Sequence, residues 1–273
     1  MNKVDIKENL YIIIVEAKKV LENEFLFLER RHIIMLQDKI ITLRNWINQS
    51  DNIVFFGGAG VSTESKIPDF KSADGLYHMK YAYSPEVILS HHFFMEKTKE
   101  FYEFYRDKML HMEAEPNITH DKLYKLEKDG KLKGIITQNI DNLHQKAGSN
   151  KVVELHGSVF RNYCMECGKF YEVTEILKTE NVPRCSCGGI IKPDVVLYEE
   201  GLDQTVLSMA INLISKAQVL VVGGTSLSVY PAASLVRYYG GNKMVLINNS
   251  ITPYDNEADL LITANLGEVF YQL

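Results

Sequence analysis

Four short runs of apolar and β-branched residues punctuate the chain: Ile-Val-Phe-Phe at 53–56, Gly-Ile-Ile-Thr at 134–137, Val-Leu-Val-Val-Gly at 219–223 and Lys-Met-Val-Leu-Ile at 243–247. Each ends at Gly, Thr, Gln or Asn, and continuous apolar runs of this length predict strands buried on both faces. Helical spacing fills the intervals, over roughly 84–112, 118–129, 203–216 and 231–239. Strands alternating with helices predict an α/β fold, a Rossmann-like doubly wound parallel sheet with ligands at the carboxyl ends of its strands. Residues 158–195 break the rhythm with turn residues and cysteines, which predicts a small inserted zinc-ribbon domain. The expected division is 35–157 with 196–273 for the large sheet domain, 158–195 for the small one, and 1–34 as a separate extension.

Composition narrows the classes of function. With 46% apolar residues over 273 positions the chain can bury a sizeable core. A net charge of −5 provides no basic footprint, so neither nucleic acid nor an anionic membrane is expected as a partner. The apolar run Leu10–Val15 is too short to span a bilayer, and a cytoplasmic location is expected. All four cysteines fall within 24 residues as Cys164-x2-Cys167, then seventeen residues, then Cys185-x-Cys187. Four thiolates on two turns suit a closed, tetrahedral structural zinc; a pair of disulfides is the alternative.

Three motifs sit at strand ends. After 53–56 comes Gly57-Gly58-Ala59-Gly60-Val61-Ser62, bare backbone where a helix is expected to begin and where a diphosphate could approach. Tight packing of the strand-to-helix turn would account for the same glycines. After 134–137 comes Gln138-Asn139-Ile140-Asp141, which can bond ribose hydroxyls and a carboxamide or simply cap a helix. His156 ends Val152-Val153-Glu154-Leu155 and precedes Gly157; taken alone it is either a structural histidine or a general base.

Together with Ile67-Pro68-Asp69-Phe70, with Thr137 to Gly148 and with Glu154-Leu155-His156-Gly157, the glycine turn resembles the sirtuins, NAD-consuming protein deacylases, from about Ile40 to Phe270. The resemblance implies an NAD-dependent lysine deacetylase acting on acetylated lysine in proteins or peptides. In that chemistry the acyl oxygen attacks the nicotinamide ribose, nicotinamide leaves, and a base activates a ribose hydroxyl, yielding O-acetyl-ADP-ribose. His156 would be the base, with Asn139 and Asp141 orienting ribose and nicotinamide. The resemblance further assigns NAD to Gly58, Ala59, Gly60, Thr63, Asp69, Phe70, Lys71, Gln138, Ile140, Gly224, Thr225, Ser226, Asn248 and Leu266. Substrate peptide would lie along Val195, Val196, Leu197 and Tyr198 as an added strand, where an ordinary edge strand is the alternative. His144 is expected to be structural. Mono-ADP-ribosyl transfer on the same scaffold and a catalytically silent NAD or zinc-ribbon module are the rival functions.

Several positions depart from the family pattern. Lys66 and Glu199 stand where glycine is usual, and Lys71 where arginine is, which loses a two-pronged phosphate contact. Sirtuins that take succinyl groups carry a Tyr-x-x-Arg pair in the acyl pocket; Tyr102 is followed by Tyr105 and Arg106, so acetyl and neutral acyl groups are expected to be preferred. Residues 1–34 precede the resemblance. Glu29-Arg30-Arg31 can be encoded as a purine-rich ribosome-binding sequence upstream of Met35, so these residues are expected to lie outside the working enzyme. A genuine helical extension with an apolar stripe is the alternative.

Overall fold

A computed structural model describes residues 31, 33–69 and 82–273. The expectations for residues 1–30 and for Phe70 and Lys71 lie outside the described residues. Six strands form the main sheet: β1 (Ile53–Gly57), β2 (Leu132–Thr137), β3 (Val152–Glu154), β7 (Val219–Gly223), β8 (Met244–Ile247) and β9 (Leu260–Ile262). All pairings are parallel, in the order β3-β2-β1-β7-β8-β9. The chain winds outward from β1 in one direction and then from β7 in the other, so the order reverses between these neighbours, where doubly wound sheets place their ligands.

Alternate residues of each strand feed two cores. Val54, Phe56, Leu220, Val222 and Leu246 pack under the helix Gln204–Lys216 and the 3₁₀ segment Ala232–Tyr238. Phe55, Ile135, Val221, Val245 and Ile247 pack on the opposite face, with Ile40, Leu43 and Ile47 from the helix over 33–48 and with Leu123, Val269 and Phe270. The central strands β1, β7 and β8 are buried at every position, which is why their sequence is apolar without alternation. Helix ends are fixed locally: the Asp203 carboxylate accepts from Val206 N at 2.9 Å, and Asn117 forms a reciprocal capping box with His120 at the start of Ile118–Lys128.

The small module is a three-stranded antiparallel sheet in the order β5-β4-β6, from β4 (Gly157–Cys164), β5 (Phe170–Glu172) and β6 (Ile191–Val195). Its core is shared with three helices, Pro85–Ile88, His91–Glu96 and Thr98–Lys108: Phe94, Phe101, Tyr102 and Tyr105 pack against Val159, Ile176 and Ile191. The helical spacing over 84–112 is therefore realised as three pieces that join the small module's core rather than cover the main sheet. The first break has a visible cause. Ser90 forms a parallel bridge with Tyr198, whose N–H donates to Leu89 O at 3.0 Å and whose carbonyl accepts from His91 N at 2.9 Å.

The four cysteine sulfurs lie within 4.8 Å of one another, the tighter Cys-x-Cys turn included. Sulfurs of Cys164 and Cys187 are 3.5 Å apart, and Cys167 is 3.6 Å from both Cys185 and Cys187. A disulfide requires about 2.05 Å, so the thiols are not paired covalently. Tetrahedral zinc with bonds of about 2.3 Å sets ligand sulfurs about 3.8 Å apart, close to the separations found. We expect Cys185→Ser to lower zinc content and melting temperature together, measured on the same sample by elemental analysis and thermal unfolding. An unchanged melting temperature in metal-free protein would contradict a structural zinc.

Candidate active site

The reversal between β1 and β7 presses two loops together. Gly60 N donates to Gly224 O at 2.8 Å, and a Cβ on Gly60 would lie 2.8 Å from Gly224 Cα. Gly224 itself has φ +61, open to glycine at least cost. After β1 the chain forms two 3₁₀ turns, Ala59–Val61 and Thr63–Ser65, in place of the expected helix start. Such turns carry little macrodipole, so the backbone N–H groups and not a helix end are what this loop offers an anion. The glycines thus serve the tight packing that was the alternative reading, and the loop they permit still lines the site. Lys66 closes the second turn in the left-handed conformation at φ 65, as a position favouring glycine would.

Above the loops opens a cleft of about 380 Å³. Gly58, Ala59, Gly60 and Asp69 line it, as do Gln138, Asn139, Ile140 and Asp141 after β2. Gly224, Thr225, Ser226, Asn248 and His156 line it as well, together with Val195, Val196, Leu197 and Tyr198 at the junction with the small module. Two expected residues are elsewhere. Thr63 is exposed and its hydroxyl donates to Gly60 O at 3.1 Å. Leu266 is buried beneath the end of β7, where its methyl would meet a Cβ on Gly223.

Short polar side chains cross-link the floor. Ser62 Oγ donates to Asp141 Oδ2 at 2.6 Å and accepts from Asn139 Nδ2 at 3.0 Å, and Asp141 Oδ1 accepts from Leu143 N at 2.9 Å. Gln138 Nε2 donates to Thr225 Oγ1 at 2.9 Å, tying the end of β2 to the end of β7. Ser62 was not singled out in the sequence; its standing inside the glycine motif was the only signal. His156 Nδ1 lies 2.8 Å from Gln138 O, and since a carbonyl only accepts, Nδ1 carries the proton and Nε2 keeps its lone pair. Burial lowers the His156 pKa, more than the bond to Gln138 O raises it. The imidazole is neutral at physiological pH, with a basic nitrogen on the cleft.

The wall nearest the small module corrects the reading of the helix Thr98–Lys108. Tyr102 donates its hydroxyl to Ile191 O, and Arg106 donates to Ile176 O at 2.9 Å and Glu180 O at 3.1 Å, so both are spent inside the module. Tyr105 and Lys108, three residues apart, line the cleft instead, beside Met109, His111 and Met112. Tyr105 is fully buried, and its hydroxyl has no hydrogen-bond partner among the described residues.

Three comparisons with known proteins bear on this arrangement. Residues 58–231 match the model of the Sir2 family. The NAD-dependent protein deacetylase of Clostridium acetobutylicum is 58% identical over 239 residues, covering 86% of this chain and 98% of that protein. That of Staphylococcus aureus is 42% identical over 241 residues, covering 87% and 99%. Among solved structures, a substituted Sir2 with deacetylated p53 peptide and 3′-O-acetyl-ADP-ribose superposes with a TM-score of 0.78 at 39% identity, over 85% of this chain and 96% of that one. A Sir2 complex with p53 peptide and NAD+ gives 0.75 at 40% identity, over 85% and 95%.

Behind Asp141, His144 and His120 lie ring against ring at 4.7 Å, both buried. Burial pushes His144 down to about 3 and His120 down to about 4. Above pH 6.5 both are neutral whether the chain is folded or unfolded, so stability is complete there. As pH falls from 6.5 toward 4 the unfolded chain takes up protons that the folded one refuses, and stability drops by about 1.4 kcal/mol per unit for each such histidine. Urea unfolding at pH 7.5, 6 and 5 should show this loss, with a shallower slope in His144→Asn. Equal slopes in the two proteins would remove His144 from the account.

Proposed function

The chain belongs to the Sir2 family, and we propose a division of labour in its cleft for the reaction it carries out, NAD-dependent removal of acetyl groups from protein lysines. Its products are nicotinamide, O-acetyl-ADP-ribose and free lysine, and it uses NAD as co-substrate and a structural zinc on the four cysteines. Bound NAD supplies an electrophilic ribose carbon with nicotinamide as its leaving group. In our reading Gly224, Thr225, Ser226 and Asn248 hold the adenosine end, and Gly58, Ala59 and Gly60 offer backbone to the diphosphate. Ile140 and Asp69 flank the nicotinamide; Thr63 and Leu266 act only through the elements they pack on. Phe70 and Lys71 are proposed on resemblance alone.

Asn139 and Asp141 orient the reacting ribose and nicotinamide, with Ser62 holding the two together. His156 Nε2 takes the proton from a ribose hydroxyl. The observation that most supports this is the fixed tautomer of His156: Gln138 O pins Nδ1–H and so commits Nε2 to the role of base. Val195, Val196, Leu197 and Tyr198 form the peptide side, between the NAD domain of 35–157 with 196–273 and the small domain of 158–195. The partners are acetylated proteins, with nucleic acid and membrane outside the proposal. Cysteines gathered as a metal site and not as disulfides favour a cytoplasmic setting in this reading. Mono-ADP-ribosyl transfer would use the same NAD contacts with another acceptor, and mass spectrometry of products separates the two. A silent module is disfavoured by Asn139, Asp141 and His156 meeting in one cleft.

His156→Ala is expected to slow net deacetylation at least about 10²-fold, the scale of a positioned general base. Nicotinamide exchange, which precedes the base's step, should fall less. Equal loss of both with NAD binding intact would assign His156 an earlier role.

Acyl choice follows from Tyr105 and Lys108. Acetyl-lysine should remain the faster substrate, while a succinyl-lysine peptide should be turned over measurably, since the Tyr105 phenol and the Lys108 ammonium, which pairs with Asp107 at 3.0 Å, can share its carboxylate. Lys108→Met should lower succinyl turnover about tenfold, the worth of one charge-assisted bond, and spare acetyl turnover. Equal losses on the two peptides would refute a role in acyl recognition.

A further inference from the structure

The two sheets meet beside His156, where the strands entering and leaving the small module lie side by side. The chain leaves β3, passes His156 and enters β4 at Gly157, whose partner in the antiparallel pair is Val195. Gly157 has φ +75, and a Cβ there would fall 1.9 Å from Asp194 O, so backbone lies directly on backbone. Val196 N donates to His156 O at 3.0 Å. The proposed base and the proposed peptide segment are thus joined through main chain, and the angle between the sheets sets the distance from one to the other.

One side chain spans this crossing. Between Ser158 and Asn162 the pairing of β4 with β6 slips, and the bulge contains Arg161. Arg161 Nη1 donates to Glu154 Oε2 at 2.7 Å, on β3 of the main sheet, and Nε donates to Asp194 Oδ2 at 2.8 Å, on β6 of the small module. Glu154 is nine-tenths buried, and its second oxygen accepts from Gln145 Nε2 at 2.8 Å, on the turn that follows Asp141. The array therefore runs from the Asp141 turn through Glu154 and Arg161 to the strand that becomes the peptide segment. A guanidinium can serve two carboxylates in different directions with its fork, and an ammonium on a flexible stem cannot fix them at one angle. Isolated exposed pairs contribute little, but here one partner is buried and three groups share the geometry.

We propose that Glu154, Arg161 and Asp194 form a latch that positions the peptide segment Val195–Tyr198 against His156, making Arg161 a positioning residue for the acyl-lysine substrate and not for NAD. The proposal rests on the assignment of His156 and of the peptide side given above. The cofactor loops after β1, β7 and β8 belong to the main sheet alone, and the segment after β2 keeps its own bond from Gln145 to Glu154 when Arg161 is removed, so the latch predicts an effect confined to the peptide.

The test uses full-length, zinc-loaded protein with an acetyl-lysine peptide. Arg161→Met should raise the peptide KM about tenfold, the scale of a lost charge-assisted hydrogen bond, leave the NAD KM and zinc content unchanged, and speed hydrogen exchange at the Val196 amide about tenfold. Arg161→Lys, which keeps the charge and loses the fork, should fall between it and the parent. Equal changes in both KM values, or a lowered melting temperature with both KM values unchanged, would overturn the proposal and leave Arg161 a stabilising residue only. Should Arg161→Met fail to fold, Asp194→Asn removes one arm and is judged by the same readouts. If the parent protein does not turn over the peptide, the assignment of His156 fails, and exchange at Val196 alone judges the latch: faster exchange in the variant supports it, and unchanged exchange overturns it.

Discussion

Two loops that leave neighbouring parallel strands in opposite directions must either splay apart or touch, and in this protein they touch. The bond from Gly60 N to Gly224 O and the contact of these two glycines close the base of the space between β1 and β7. A methyl group at either position would wedge the loops open and shift every residue that follows. Because the base is closed, the cleft opens upward, between the strand ends and the small module. The 3₁₀ turns after β1 are a consequence of the same contact: they keep Ser62 over the floor, within reach of Asn139 and Asp141.

On that floor, polar groups are partnered so that each is left with one role. Asp141 spends one oxygen on Leu143 N and shares the other with Ser62, which fixes its plane. His156 is fixed too, neutral and with one nitrogen committed to a carbonyl. A carboxylate held in one plane and an imidazole with one nitrogen left as an acceptor in the same cleft are what the proposed proton transfer from a ribose hydroxyl needs. His120 and His144 behind them are neutral for a plainer reason, since charging either would place a cation in an apolar layer beside Phe55.

The small module supplies the opposite wall and depends on different physics. Its sheet is too small to bury a core by itself, so it borrows Phe94, Phe101, Tyr102 and Tyr105 from the helices of 85–108 and gathers four thiols at its far end. The proposed peptide segment is anchored on the same helices. Glu200 accepts from Lys192 Nζ at 3.1 Å and Leu197 N at 2.9 Å and pairs with His91, and Glu199 accepts from His92 N at 2.9 Å. Glu199, at φ 74 where glycine is usual in the family, exchanges backbone ease for this contact.

The sequence by itself determined what depends on burial and on contiguous motifs. The runs at 53–56, 134–137, 219–223 and 243–247 are strands because strands buried on both faces must be apolar throughout, and the paired cysteine turns needed only their spacing to point to a metal. His156, Asn139 and Asp141 could be picked out as candidates because they stand in unbroken motifs at strand ends, and the fold brings all three to one cleft. What the sequence did not carry depends on contacts between distant residues. β3 and β9 are three-residue edges, too short for a pattern. The helix expected over 84–112 is cut where Ser90 meets Tyr198, more than a hundred positions away. Tyr102 and Tyr105 are both buried aromatics on one helix, and only packing decided that Tyr102 faces the module's interior while Tyr105 and Lys108 face the cleft. Ser62 and Arg161 likewise acquired their places through partners brought up by the fold, because a hydrogen bond is specified by where two chains cross and not by either chain alone.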